Sequence, residues 1–211
     1  ERSNRLMLEI ISEVVSARNG ESGAHMRHLC LLTEVLLDTL VSKTKRYTLT
    51  PHERKLIVTA SAVHDIGKMG SDEKILNKSG QLTEEEYIVM KSHTLIGASM
   101  LARLDHYRDE ELARTAYQIC RWHHERYDGG GYPAGLKGEE IPIAAQVVSI
   151  ADAYDALISP RVYKEGFSHE QAMQMIRNGE CGAFNPLLIE CLEDSQSRIR
   201  YLASMTAERF S

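Results

Sequence analysis

Three reciprocal helix starts punctuate the chain and leave little room for any architecture but helices. Thr50-Pro51-His52-Glu53 offers an N-cap hydroxyl, a proline at the first helical position and an acid three residues on. That arrangement satisfies orphan backbone donors in both directions. Thr83-Glu84-Glu85-Glu86 and Ser168-His169-Glu170-Gln171 repeat it. Between these points apolar residues recur at helical spacing. Leu6, Ile10, Ile11, Val14 and Val15 make a stripe that ends at Asn19-Gly20, a C-terminal stop. Leu29, Leu32, Leu36, Leu37 and Leu40 face a core from a helix over 24–41. Leu56, Ile57, Ala60 and Val63 extend the helix begun at Pro51 up to His64-Asp65-Ile66-Gly67. Leu112 to Trp122 is a further apolar helical run, and Asn185-Pro186 opens a last helix reaching towards Tyr201.

No segment alternates with a period of two, so no sheet is expected beyond a small hairpin after Pro133. The connections are short except Met69 to Leu82 and Gly129 to Pro142, both following directly on histidines. The expected fold class is all-α, a compact multi-helix bundle. Residues 1–19 are expected to be an N-terminal helix arriving from an upstream domain, with 20–211 as one domain. The first residue is Glu rather than Met, which fits a chain cut from a longer protein.

A net charge of -5 argues against a protein that coats polymeric nucleic acid. It leaves room for a small phosphate-bearing ligand, which needs only a few local cations. Cys30, Cys120, Cys181 and Cys191 are scattered without a CxxC pair, and no secretory leader is expected. A reduced, cytoplasmic setting follows. No apolar run approaches the ~20 residues of a membrane helix; the best candidate, Ile141 to Ile150, is interrupted by Pro142, Gln146 and Ser149.

Polar residues of metal-ligand type sit inside these apolar helices. Glu21 and His25 are four apart; His64 and Asp65 close an apolar helix, with Lys68 a turn beyond His64. His93 precedes Ile96-Gly97-Ala98, and His123-His124 follow Trp122. Asp152 and Asp155 interrupt the run from Val147 to Leu157. Any one of these is more simply a hydrogen-bonded core or surface residue. Together they would bury several charges, each costing several kcal/mol unless paired or metal-bound. Bundles place metal sites on facing helices in this manner. Imidazole and carboxylate without thiolate suit iron, manganese, nickel or zinc and disfavour a structural zinc-thiolate site. Five imidazoles and at least two carboxylates exceed the needs of one ion, so two or three divalent ions sharing a carboxylate are expected.

His25, His64-Asp65 and Asp152 resemble the ligand pattern of the HD phosphohydrolases. With His93, His123-His124 and Gly131-Tyr132-Pro133 added, the chain resembles an HD-GYP domain from about Glu21 to Leu188. The matching stretches are His64 to Lys68, His123 to Pro133, Ile150 to Leu157 and Ser159 to Lys164. The resemblance implies a phosphodiesterase that hydrolyses cyclic di-GMP to linear pGpG, in some members on to GMP. It implies metal ligation by His25, His64, Asp65, Asp152, His93, His123 and His124, with Asp65 bridging and Glu21 helping to hold a third ion. Iron or manganese would be the first choice of metal, nickel or zinc the second. Lys68, Arg161 and Lys164 match phosphate-contacting positions, and Tyr132 with Pro133 belongs to the loop beside the site. A hydroxide bridging two cations would attack phosphorus in line with the departing ribose 3′ oxygen, which makes Asp65 and Lys68 the catalytic pair. Implied partners are an upstream receiver or sensor domain, a diguanylate cyclase (GGDEF) domain meeting the GYP loop, and a second copy in a homodimer.

The chain departs from the family pattern at several places. His28 and Gln146 stand where arginines are usual, and Asn185 where an acid is usual. Ser71-Asp72-Glu73 and Ser79 replace other characteristic residues. None is a matched ligand, but loss of both arginines would weaken the support of the site. His28 is expected to pack between helices, and His52, His106 and His169 to lie at the surface. Two further readings stay open: a phosphodiesterase for another cyclic dinucleotide, and a catalytically slow nucleotide-sensing module.

Overall fold

The longest apolar stripe in the sequence becomes the central helix. The computed structural model describes Val14 and residues 23–78, 80–104, 110–159 and 166–207. Helix α1 (Gly23–Lys43) runs through the middle, with Leu29, Leu32, Leu36, Leu37 and Leu40 at most 1 % exposed. Each such leucine contributes roughly 1.5–3 kcal/mol relative to an exposed one. Against α1 pack α2 (Pro51–Ser61), α7 (Ile143–Ile158), α9 (Pro186–Asp194) and α10 (Gln196–Ala207). Their shared core joins Ile57 and Ala60 to Val147, Val148, Ile150, Tyr154, Leu188, Leu192 and Ile199. Short helices α3 (Glu73–Leu76) and α4 (Glu84–Lys91) lead into α5 (His93–Ala102), which packs on α6 (Glu111–Trp122). Helix α8 (His169–Arg177) packs on α7. No strand occurs among the described residues.

All three capping boxes form as expected. Thr50, Thr83 and Ser168 each accept from the backbone N–H three residues on, and Glu53, Glu86 and Gln171 accept from the cap residue in return. Other expectations need correction. The helix begun at Pro51 does not run α-helically to Gly67. It tightens after Ser61, where Val63, His64 and Ile66 donate to the carbonyls three residues back, and a 3-10 turn follows over Ile66–Gly70. The C-terminal helix is interrupted at Ser195, whose hydroxyl donates to the Cys191 carbonyl at 2.6 Å, a back-bond that bends helices. The hairpin expected after Pro133 is replaced by a 3-10 turn, Gly138–Glu140. His169 is not simply a surface residue: its Nδ1 lies 2.8 Å from the hydroxyl of fully buried Tyr154. His52 is exposed as expected, beside Glu111. Of the expected N-terminal helix, only Val14 is described, helical and exposed. His106 and Ser79 lie outside the described residues.

One close approach sets the position of the 3-10 turn against α5. A Cβ on Gly67 would fall 1.8 Å from the His93 carbonyl oxygen and 2.5 Å from Gly97 N. Only glycine lets the two backbones meet, and the meeting brings Asp65 and Lys68 against the start of α5. Gly67→Ala should therefore cost about 1–3 kcal/mol or more as overpacking. That corresponds to roughly 2–4 °C of thermal midpoint per kcal/mol in a chain of this size. A midpoint equal to the parent's would mean that the contact is slack.

Candidate metal centre

Helix ends, rather than helix middles, deliver most of the candidate ligands. Three histidines return a ring N–H to a carbonyl in the last turn of the helix before them, a carbonyl that also accepts a backbone N–H. His64 Nδ1 donates to the Ser61 carbonyl at 2.9 Å, His93 Nδ1 to Met90 at 2.7 Å and His123 Nδ1 to Ile119 at 2.9 Å. These bonds leave each Nε2 as the free lone pair. All three Nε2 atoms are buried without a hydrogen-bond partner, as is Asp65 Oδ1.

The ligand atoms converge in two groups. Asp65, His93, His123 and His124 form one; His25, His64 and Asp152 form the other, the candidate atoms of each lying within 4.8 Å of one another. Asp65 faces both. Its Oδ1 is 3.2 Å from His93 Nε2 and 3.6 Å from His123 Nε2, while its Oδ2 is 3.2 Å from His64 Nε2. Asp152 Oδ1 lies 3.7 Å from His64 Nε2 and 3.9 Å from His25 Nε2. Buried imidazole lone pairs aimed at carboxylate oxygens, with no proton donor between them, are the donor set that a divalent cation requires. The residues present thus fit two ions. Of the expected ligands seven come together; Glu21, and with it the expectation of a third ion, lies outside the described residues. Arg161 and Lys164 also lie outside them.

The electrostatics match. Burial alone would raise the Asp65 carboxyl, but the Lys68 ammonium and the His64 and His123 rings hold it well below the usual carboxylate range. Lys68 Nζ is 2.6 Å from Asp65 Oδ2. Burial lowers His123 and His124, and the neighbouring rings of His123 and His93 push His124 further down, which keeps both as neutral ligands. For His64 burial is outweighed by Asp65 and Asp152, which raise it. The proton these carboxylates attract is the one a cation would displace.

The segment after the histidine pair is held by an unforeseen residue. Glu125 is 2 % exposed, and its two oxygens accept from Ala134 N at 2.7 Å and Leu136 N at 3.0 Å. A Cβ on Gly131 would fall 2.3 Å from Arg126 N, so this loop folds directly back on the chain that carries the histidines. Tyr132, whose bond to Pro133 is cis, stacks on His124 with centroids 4.8 Å apart.

The departures from the family pattern find partners. His28 is buried, as expected for helix packing, but it also shares Asp155 with a ligand: His28 Nδ1 meets Asp155 Oδ1, and His25 Nδ1 meets Asp155 Oδ2. Asp155 is fully buried and lies on α7 one turn from Asp152. Its position in the sequence marked it as metal-type without distinguishing ligand from support. Gln146 and Asn185 pair with each other, Asn185 Nδ2 donating to Gln146 Oε1 at 2.9 Å. Gln146 Nε2 donates to the Ile141 carbonyl at 2.8 Å.

Asp155→Asn would leave one of His25 and His28 without an acceptor. Metal titration of this variant should show affinity reduced about 10- to 100-fold, with helix content kept. Unchanged affinity would mean that His25 takes its orientation from elsewhere.

Comparison with known proteins places this geometry in a family. A family model described as HD domain matches residues 9–185. The chain is 40 % identical over 182 residues to a cyclic di-GMP phosphodiesterase of Vibrio cholerae, covering 85 % of this chain and 37 % of the relative. It is 35 % identical to the 3′3′-cGAMP-specific phosphodiesterase 2 of the same organism, covering 86 % of this chain and 33 % of the relative. It is 31 % identical to the cyclic di-GMP phosphodiesterase response regulator RpfG of Xanthomonas campestris, covering 96 % of this chain and 50 % of the relative. The chain therefore spans a third to a half of the length of these relatives. Bd1817, an HDG"Y"P protein from Bdellovibrio bacteriovorus, superimposes with a TM-score of 0.63 at 20 % identity, over 93 % of this chain and 64 % of that one. That likeness concerns the fold alone. With its histidines and aspartates gathered in two adjoining candidate ligand groups, this chain belongs to the HD-domain family and carries the HD-GYP pattern.

Proposed function

We propose that this chain is a metal-dependent phosphodiesterase that opens cyclic di-GMP to linear pGpG, with further hydrolysis to GMP as a continuation of the same chemistry. The observation that carries the reading is the Asp65 carboxylate, one oxygen towards His64 and the other towards His93 and His123. A carboxylate so placed could serve an ion on either side of it. His93, His123 and His124 would hold the first ion, His25, His64 and Asp152 the second, with iron or manganese the metals of choice. When bound, the ions supply a nucleophile from water near neutral pH and neutralise charge on the phosphoryl oxygens.

The chain's own residues do the rest. The Nδ1 bonds to helix-end carbonyls hold three imidazoles in one tautomer and one orientation. Lys68, partly exposed at the rim, stabilises ionised Asp65 and offers a point charge to a phosphoryl oxygen. Tyr132 walls the site beside His124. Arg161 and Lys164 are proposed as further phosphate contacts, and Glu21 as a ligand for a third ion. A regulatory module in a longer chain, a GGDEF domain meeting the GYP loop, and a homodimer belong to the same proposal.

The relative named for 3′3′-cGAMP supports a second reading, in which the chemistry is kept and the mixed dinucleotide is the substrate. Metal analysis of anaerobically purified protein, followed by product chromatography with each dinucleotide, separates the readings. Stoichiometric binding without linear product in fully metallated protein would leave only a sensing module. Asp65→Ala should abolish turnover and lower metal content while the bundle stays folded; full loading with normal activity would contradict the shared carboxylate. Lys68→Ala should retain metal and lose turnover on the order of 10²-fold, and metal loss instead would assign Lys68 to the ligand shell.

A further inference from the structure

Beyond the ligand set, one cation stands at the edge of the site with aromatic rings for neighbours. Lys91 is the last residue of α4, two positions before His93. Its ammonium lies 5.0 Å from the centroid of Tyr87 and 5.7 Å from that of Tyr132. It has no carboxylate partner among the described residues, although the chain as a whole is acidic. The other lysine near the ligands, Lys68, is engaged with Asp65. Tyr87 is 50 % exposed, so this aromatic pair is accessible from outside.

The rings place this charge at one remove from the metals, since Tyr132 stands against His124 and Lys91 against Tyr132. In a cyclic dinucleotide the phosphorus being attacked belongs beside the metals and Lys68, and a nucleobase extends outward from it. An aromatic ring with an exposed face suits stacking of a base, which tolerates any base because every base has a π-face. A lysine ammonium has three donors and no acceptor. It can satisfy the O6 and N7 acceptors on the Hoogsteen edge of guanine, but on adenine it meets the N6 donor beside N7.

We propose that Tyr87 and Lys91 form a purine subsite in which Tyr87 stacks on the base and Lys91 selects guanine over adenine. The subsite deepens the phosphodiesterase reading and rests on it. It gives the chain a means of choosing among cyclic dinucleotides within one metal chemistry.

Turnover and binding of cyclic di-GMP and cyclic di-AMP by the full chain, as wild type, Lys91→Met and Tyr87→Leu, test the proposal. Lys91→Met keeps the aliphatic stem and removes the donors. The expected result is a loss of about 5- to 100-fold in kcat/KM and in affinity for cyclic di-GMP. Cyclic di-AMP should change less than about threefold, and metal content should stay constant. Tyr87→Leu should weaken both dinucleotides alike, through KM. Equal losses on both substrates with Lys91→Met would make Lys91 a phosphate contact and overturn the guanine selection. No loss on either, or loss of metal, would overturn it as well. An unchanged KM in Tyr87→Leu would remove the stacking platform. Should the wild type bind cyclic di-GMP without cleaving it, the phosphodiesterase reading fails, while the Lys91 comparison on affinity still decides the base contact.

Discussion

The site depends on a single buried carboxylate that faces two groups of imidazoles at once. Asp65 is 6 % exposed, within 3.2 Å of both His64 and His93 through different oxygens. A buried carboxylate with one orphaned oxygen would be a serious liability in an ordinary helical core. Much of the surrounding structure answers to that charge. Lys68 sits on Asp65 Oδ2, the helix tightens after Ser61 to turn His64 and Asp65 into the same cavity, and the Gly67–Gly97 approach carries both against α5.

A second regularity concerns where the candidate ligands come from. His64, His93 and His123 each follow the end of a different helix and return a ring N–H to a carbonyl of that helix's last turn. A helix terminus normally leaves such carbonyls to water or to a glycine cap. Here the ring N–H joins a backbone N–H on the same carbonyl, and that bond fixes the orientation of a candidate ligand. Secondary structure and ligand orientation are thereby one problem with one solution, and the geometry does not rely on mobile loops.

The helical class was legible in the sequence, and so were most of the histidines and aspartates that the structure brings together, because capping boxes and imidazoles within apolar runs both have strong local causes. Thr50, Thr83 and Ser168 mark helix starts by chemistry confined to four residues. What escaped is what depends on partners distant in the chain. Asp155 and Asp152 look alike on one apolar run, and only the arrival of His25 and His28 from α1 separates support from ligand. Glu125 carries no local sign of its role, which comes from Ala134 N and Leu136 N closing on it. The break at Ser195 turns on a single hydroxyl choosing a backbone carbonyl, a choice that periodicity does not reveal.

Gln146 and Asn185, which stand where a base and an acid are usual, lie against each other as a neutral amide pair. An ion pair at this junction would weaken with ionic strength and with protonation of its acid, whereas an amide pair has no charge to screen and no proton to take up. The contact between these two amides thus offers salt and acid nothing to act on, although Asn185 also reaches the Tyr47 hydroxyl, which bonds to Glu139.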